Sequence, residues 1–492
     1  MPSLPSFWSP VVLACIATGA LWSCGSNDAS PSRTDGGVPD AAVRDASPQD
    51  AGIDAPTVPK ELTVVTLAPA HGDANVSVQD PIQVTFSEAV QIGATPLTLT
   101  KPDGTLIPTT AALSSDRRTV TLSLLDAQKA PAEVVAHFAD ISTLDGRPLV
   151  SKPDWSWKLP AWVSVGTNVV DRFDLYDECS VVAGPGRQIT FVAREWNIRR
   201  DQPGFVSTTD TLHGAWKQLG GPLTPVTYYP RIALDAKNNL VALSIYENVL
   251  HVQRWSGAKW DDLGGPIPDA DGLWENSPIA VDSRGKIFMA YSHRVGGQAS
   301  VNELLVRSFD GTTWSPVGGP VSSAQSDTPF YPNLVLDPTG IPYVRYHDSE
   351  EHIVKWTGSA WAPVGSHLAP TGGTALGLTM AFDDGGRLFA IGNFSDGTTR
   401  VIRFDGSDWV PVGNSLGTKI TSASLVAGRS GHLFSIVYDD IDNATFRVAD
   451  ITQAGWTKID GAITDFGTSL AVDPDNVPVV LTPKLGVLRL NR

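Results

Sequence analysis

The chain has 492 residues, 45 of them Gly and 37 Pro, which is too long for one ordinary domain and too rich in helix breakers to be mainly helical. Fifteen Trp stand against three Met and three Cys, so a disulfide framework is excluded and a β-rich exported protein with aromatic residues at regular positions is indicated. The formal net charge of −16 excludes a general phosphate-binding surface, and nucleic acid as a partner with it, because such a surface needs clustered Lys and Arg.

One apolar run, residues 11–21, is long enough to consider as a membrane segment, and it leads into Leu21-Trp22-Ser23-Cys24. This stretch resembles the signal peptide and lipobox of bacterial lipoproteins. The resemblance implies that residues 1–23 are removed and that Cys24 is diacylated and becomes the first residue. An ordinary secretory signal cleaved near the same place is the alternative, and either reading exports the chain. Under the lipid reading the chain touches the membrane through its anchor alone, at the outer membrane or cell surface, while Gly25 carries no clear sorting signal. Residues 25–59 hold six Asp, two Arg and no aromatic residue. Too little of this can be buried to offset the entropy of ordering it, so 24–60 reads as a solvated tether.

Short alternating runs then replace the low-complexity stretch, at 62–67, 82–86, 97–100, 119–124, 134–138 and 155–159. Turn signals separate them, notably Pro102-Asp103-Gly104, Ser115-Asp116-Arg117 and Leu144-Asp145-Gly146. Residues 61–159 therefore predict a β-sandwich. The order Pro69-x-x-Gly72, Val84-Thr85-Phe86-Ser87-Glu88-x-Val90, a Thr-Val-Thr-Leu strand and Asp145-Gly146-x-x-Leu149 resembles the bacterial Ig-like domains of surface-layer and other envelope proteins. The resemblance implies a spacer or adhesion unit. Glu88 is read as an exposed turn acid and carries no site.

The rest of the chain, 160–492, is periodic. One marker is Trp-x-x-Val/Leu-Gly at Trp162, Trp216, Trp260, Trp314, Trp361 and Trp409, with a degenerate copy at Trp456; the spacings are 54, 44, 54, 47, 48 and 47 residues. The other is an apolar strand ending in a tight turn, at Gly184, Asp235, Asp282, Asp337, Asp383, Gly428 and Asp473. Each period has room for four short strands, the period of a β-propeller blade. The repeats resemble divergent propeller repeats, nearest the NHL type, and lack kelch and WD signatures. The fold class is therefore all-β, an Ig-like sandwich followed by a seven-bladed propeller. The chain stops where a Trp strand is due, and the first repeat begins with an unpartnered one, so 161–166 is predicted to pair with the C-terminal strand and close the ring.

The Asp turns and the Gly turns of the third-to-fourth hairpins share one face. The opposite face receives the longer and more varied loops, where a ligand site is expected. These carry Tyr176, Asp177 and Glu178; Tyr228 and Tyr229; Trp274 and Glu275; Asp327, Phe330 and Tyr331; Asp465 and Phe466. Aromatic platforms beside carboxylates suit sugar rings or cationic peptide segments. Several of these aromatics are equally read as core plugging the channel. The repeat Trp residues are read as packing between blades.

No cofactor is indicated. His347 and His352 would face one another across a hairpin and suggest zinc, and Asp439 and Asp442 suggest calcium; the first pair lacks a third ligand and the second lacks the twelve-residue loop pattern, so polar hairpin tips are the competing readings. Ser308-Phe-Asp310-Gly311-Thr-Thr-Trp314 resembles the Asp box of sialidases, with an Asp-to-Gly step one residue too short. No Ser/His/Asp elbow, P-loop or dinucleotide fingerprint occurs. Cys179 lies in an apolar run and is read as a buried structural thiol. The sequence therefore points to a non-catalytic envelope lipoprotein, monomeric, whose propeller recognises a glycan or an envelope protein. A polysaccharide hydrolase or lyase and a purely structural scaffold remain the alternatives.

Overall fold

The computed structural model describes residues 60–492 apart from 126–129, 167–172, 196–203, 224–227, 236, 247–248, 268–276, 296–301, 325–329, 419–420, 441–444 and 460. Cys24 and the acidic stretch lie outside the described residues. No helix among the described residues is long and apolar enough to cross a membrane.

The N-terminal part is a sandwich of two four-stranded antiparallel sheets. One sheet joins Val64–Ala68, Ile82–Phe86, Thr119–Leu124 and Thr109–Leu113; the other joins Trp155–Leu159, Ala132–Phe138, Leu97–Thr100 and Leu106–Ile107. Alternation sends Val84, Phe86, Val120, Leu99, Val134, Trp155 and Trp157 into one core between the sheets. Glu88 is not a free turn acid. Its carboxylate pairs with Arg147 at 2.7 Å, and that hydrogen bond holds it below the usual carboxylate range.

Seven further antiparallel sheets of four or five strands follow, one for each repeat. Their first strands are Phe173–Ala183, Tyr228–Leu234, Ile279–Val281, Asn333–Leu336, Ala375–Phe382, Thr421–Ala427 and Ser469–Val472. Each lies beside the first strand of the next sheet, and the seventh returns to the first, so these strands form the inner ring of a seven-bladed propeller. The last blade is composite: Trp162–Ser164 pairs with Gly486–Leu490, in the register Trp162 with Leu490 and Ser164 with Leu488. The ring is closed by strands from its two ends, and no open edge is left there.

Both sequence markers have a physical cause. The Trp indoles of successive blades donate to a backbone carbonyl of the blade before: Trp260 to Leu219, Trp314 to Leu263, Trp361 to Val317 and Trp409 to Val364, at 2.7–3.2 Å. Trp162 closes the series on Gly461 at 2.8 Å. The motif glycine accommodates the next blade's ring. At Gly318, φ is +72° and an added Cβ would stand 2.3 Å from the Trp356 ring. In the Asp turns the carboxylate accepts backbone N–H groups two and four residues on, as Asp282 does from Arg284 and Lys286 and Asp473 from Asp475 and Val477, at 2.8–2.9 Å. The sixth blade has Gly428 in place of Asp and draws its carboxylate from the fifth: Asp384 accepts the Ser430 and Gly431 N–H groups at 2.5 and 2.7 Å. Cys179 is buried, its thiol 3.2 Å from the Thr468 hydroxyl.

The sandwich is tied to the Asp-turn side of the ring where the composite blade begins and ends. Asn491, 3% exposed, donates its amide to the Val76 and Pro160 carbonyls, both at 2.9 Å, and accepts the Val78 N–H at 2.7 Å. Ser164 N–H donates to the Asn75 amide oxygen at 2.8 Å, and His213 lies 2.9 Å from Asp80. The long-loop face is on the other side of the ring.

Candidate functional site

The best-defined part of the long-loop face lies between blades four and five. Here Pro342–His347 and Glu351–Trp356 form a hairpin, with Tyr346 opposite His352 and His347 opposite Glu351. Because side chains alternate, Arg345, His347 and Glu351 share one face of it and Tyr346 and His352 the other.

Arg345 and Glu351 form a buried pair, their side chains 8% and 2% exposed. Arg345 Nε donates to Glu351 Oε2 at 2.5 Å, and a second guanidinium N–H donates to Oε1, the bidentate arrangement that planar recognition favours. The remaining arm of Arg345 donates to the Tyr331 carbonyl at 2.9 Å. On the other side, Glu351 accepts the Gly377 N–H of blade five at 2.8 Å. One ion pair thus fastens two segments of the mouth from adjacent blades. The His347 N–H, donating to the Phe330 carbonyl at 3.0 Å, pins the same loop a second time.

This bracing presents Tyr331. Its φ is +42°, a left-handed conformation that costs an L-residue about 1–2 kcal/mol, and its side chain is 54% exposed. Strained backbone conformations held by a buried network cluster at sites of ligand contact. Leu376, in the inner strand of blade five, is 43% exposed at the same rim.

The other residues singled out from sequence fall into several groups. Phe330 does not face the mouth. It is fully buried against Tyr346, ring centroids 6.0 Å apart, because its loop turns inward to complete the core between blades three and four. Asp465 is likewise fully buried. Its carboxylate accepts the N–H groups of Phe466, Lys484 and Leu485, so it is a clamp between a loop and a hairpin of blade seven. Phe466 is half-buried and packs 6.2 Å from Tyr438, whose phenol burial pushes up to about 12. Of Tyr176, Tyr228 and Tyr229 the structure describes the backbone, in the inner strands of blades one and two at their long-loop ends. The backbone alone is likewise described for Asp177 and Glu178, in the inner strand of blade one, and for Asp439, in the second strand of blade six. Trp274, Glu275, Asp327 and Asp442 lie outside the described residues.

His347 and His352 do not converge on a metal. The register sends them to opposite faces: His347 sits 3.2 Å from Glu351, and His352 stacks on Tyr346 and bonds Asp348 at 3.0 Å. Burial pushes the Asp348 carboxyl up, but hydrogen bonds from Ser349 and the nearby His352 outweigh it and hold it below the usual range. No group of three or more His, Cys, Asp or Glu is arranged to hold a metal ion among the described residues. Sequence reasoning missed Arg345 and Glu351. Their signal is present, an Arg and a Glu at same-face positions about a tight hairpin, but it needs the register to be read.

Residues 58–158 match the family model described as bacterial Ig-like domain. No curated protein matches the chain. Among solved structures, a streptogramin B lyase is 10% identical with a TM-score of 0.44, covering 65% of this chain and 95% of that one. A polysaccharide lyase, an ulvan lyase, is 12% identical with a TM-score of 0.42, covering 65% and 93%. The β-propeller domain of the Trilobed protease from Pyrococcus furiosus is 8% identical with a TM-score of 0.42, covering 62% and 92%.

Proposed function

We propose that this chain is an exported recognition module, anchored to the bacterial envelope by lipid on Cys24 and lifted from the membrane by residues 24–60. The Ig-like part, 61–159, acts as a spacer, and the propeller, 160–492, binds a glycan or an envelope protein at its long-loop mouth. The observation that carries the reading is the strained, exposed Tyr331 presented by the buried Arg345–Glu351 pair. Tyr228, Tyr229 and Trp274 are the proposed companions of Tyr331 around the mouth.

Binding suits this arrangement better than hydrolysis or elimination. Glu351 and Asp465 have their oxygens engaged by Arg345 and by backbone N–H groups, and a carboxylate so held is a poor proton carrier. An aromatic face at a rigid rim takes a sugar ring or a cationic side chain without moving.

The test is a glycan and peptide array probed with the full chain. Tyr331→Ala should abolish at least one class of hits while leaving the melting temperature in place. An array in which every hit survives both Tyr331→Ala and Tyr229→Ala, or one with no hits, would overturn the mouth as a recognition site.

A further inference from the structure

We propose that a second site, on the Asp-turn face between blades one and two, binds one uncharged pyranose ring of a glycan. A half-open notch of about 220 Å³ lies there, walled by Leu219 and Gln188 of blade one and by Asn238, Asn239, Trp255 and Ser256 of blade two. It is smaller than the ~300–1,000 Å³ pockets that enclose drug-sized ligands, and its scale is that of a single sugar ring.

The chemistry of the walls selects the ligand. Among the described residues no Lys, Arg, Asp or Glu lines the notch, so its walls supply no counter-ion for a charged sugar. Trp255 is half-buried and fixed on one edge, where Gly220 leaves room for it: a Cβ there would stand 2.7 Å from the ring. Its indole, 5.4 Å from that of Trp260, offers an apolar surface for sugar C–H groups. Asn239 directs its Nδ2 to both oxygens of Asp235, at 3.2 and 2.9 Å, which fixes the amide and leaves its oxygen as an acceptor. The side-chain amides of Gln188 and Asn238 make no hydrogen bond to protein among the described residues. An amide both donates and accepts, which matches a pair of neighbouring hydroxyls.

The position three residues after the turn Asp is Gly285, Gly340 and Gly386 in blades three to five, where positive φ favours glycine. Blades two and seven carry Asn238 and Asn476 there, both at φ +63°. Asn476 has a structural use, accepting the Arg429 N–H at 2.7 Å. Asn238 closes its turn through its backbone N–H to the Asp235 carbonyl at 2.8 Å, while its side-chain amide makes no hydrogen bond to protein among the described residues and stands at the notch.

This inference does not rest on the mouth. Its test titrates the full chain with the methyl glycosides of glucose, galactose, mannose and N-acetylglucosamine, followed by ligand-observed NMR saturation transfer, with glucuronate as the charged comparator. At least one neutral glycoside should bind more tightly than glucuronate. Its affinity should fall by at least about tenfold in Gln188→Ala and in Asn238→Gly, the latter a substitution the left-handed backbone tolerates, and persist in Tyr331→Ala. Absence of neutral-glycoside binding, a tighter glucuronate, or binding unchanged in both notch variants would overturn the notch. Binding lost only in Tyr331→Ala would overturn it too, by assigning the sugar to the mouth.

Discussion

The two faces of the ring are built by different rules. On the Asp-turn face the carboxylates of blades three and seven bond N–H groups of their own turns, so the structure there is written within five residues and repeated. On the long-loop face the described bonds run between segments far apart, Glu351 to Gly377 and Asp465 to Lys484, and the two differ from one another. Repetition supplies a scaffold, and irregular long-range bonds supply an individual surface.

Substitutions on either face test that contrast. The largest effect is expected where both rules meet, at Arg489 and Asp473. Their side chains are 3% and 0% exposed, with Nε 2.7 Å from Oδ2. Arg489→Met strands a buried carboxylate and should cost about 3–5 kcal/mol in denaturant unfolding. Gly318→Ala attacks the blade-to-blade contact through both φ and the Trp356 ring, and a loss of about 2–3 kcal/mol is expected by the same measurement. Tyr331→Gly should act with opposite sign, raising stability by up to about 1 kcal/mol in thermal unfolding as strain is relieved, while mouth binding disappears.

The smallest effect is electrostatic. Asp310 and Asp405 are held below the ordinary value of 3.8 by N–H groups of their own turns. At Asp235 burial acts upward first, but bonds from Asn239 and Lys237 and the nearby Arg254 prevail and lower it too. A carboxylate with a lowered folded pKa contributes stability that is complete above its unfolded value and lost as pH falls through the folded one. Melting temperature should therefore hold from about pH 7 to 5 and decline below about 4, less steeply in Asp310→Asn/Asp405→Asn, and Tyr331→Ala should leave the profile unmoved.

The same contrast explains what could be read from sequence. The Asp turns and Trp strands were legible because most copies carry their own reason: two backbone N–H groups within reach of one carboxylate, one indole within reach of one carbonyl. The composite last blade followed from counting those copies. The mouth was less legible. Phe330 and Tyr331 are adjacent and chemically alike, yet one is core and the other exposed, because Arg345 and His347 grip the backbone between them. Asp465 reads as a loop acid until the hairpin it caps is brought beside it. The two His of the 347–352 hairpin differ from expectation by one register step, which moves a side chain to the opposite face.

The closure of the ring also has a consequence in time. Pro160 and Asn491 are separated by 331 residues, yet they share a hydrogen bond at the end of the composite blade. A chain emerging from N- to C-terminus presents Trp162–Ser164 long before its partner strand exists, and the ring stays an unsealed arc until Gly486–Leu490 arrives. Loss of a few C-terminal residues would therefore leave six blades intact and still deprive the molecule of its circle, and of the Asn491 bonds that join that circle to the Ig-like sandwich.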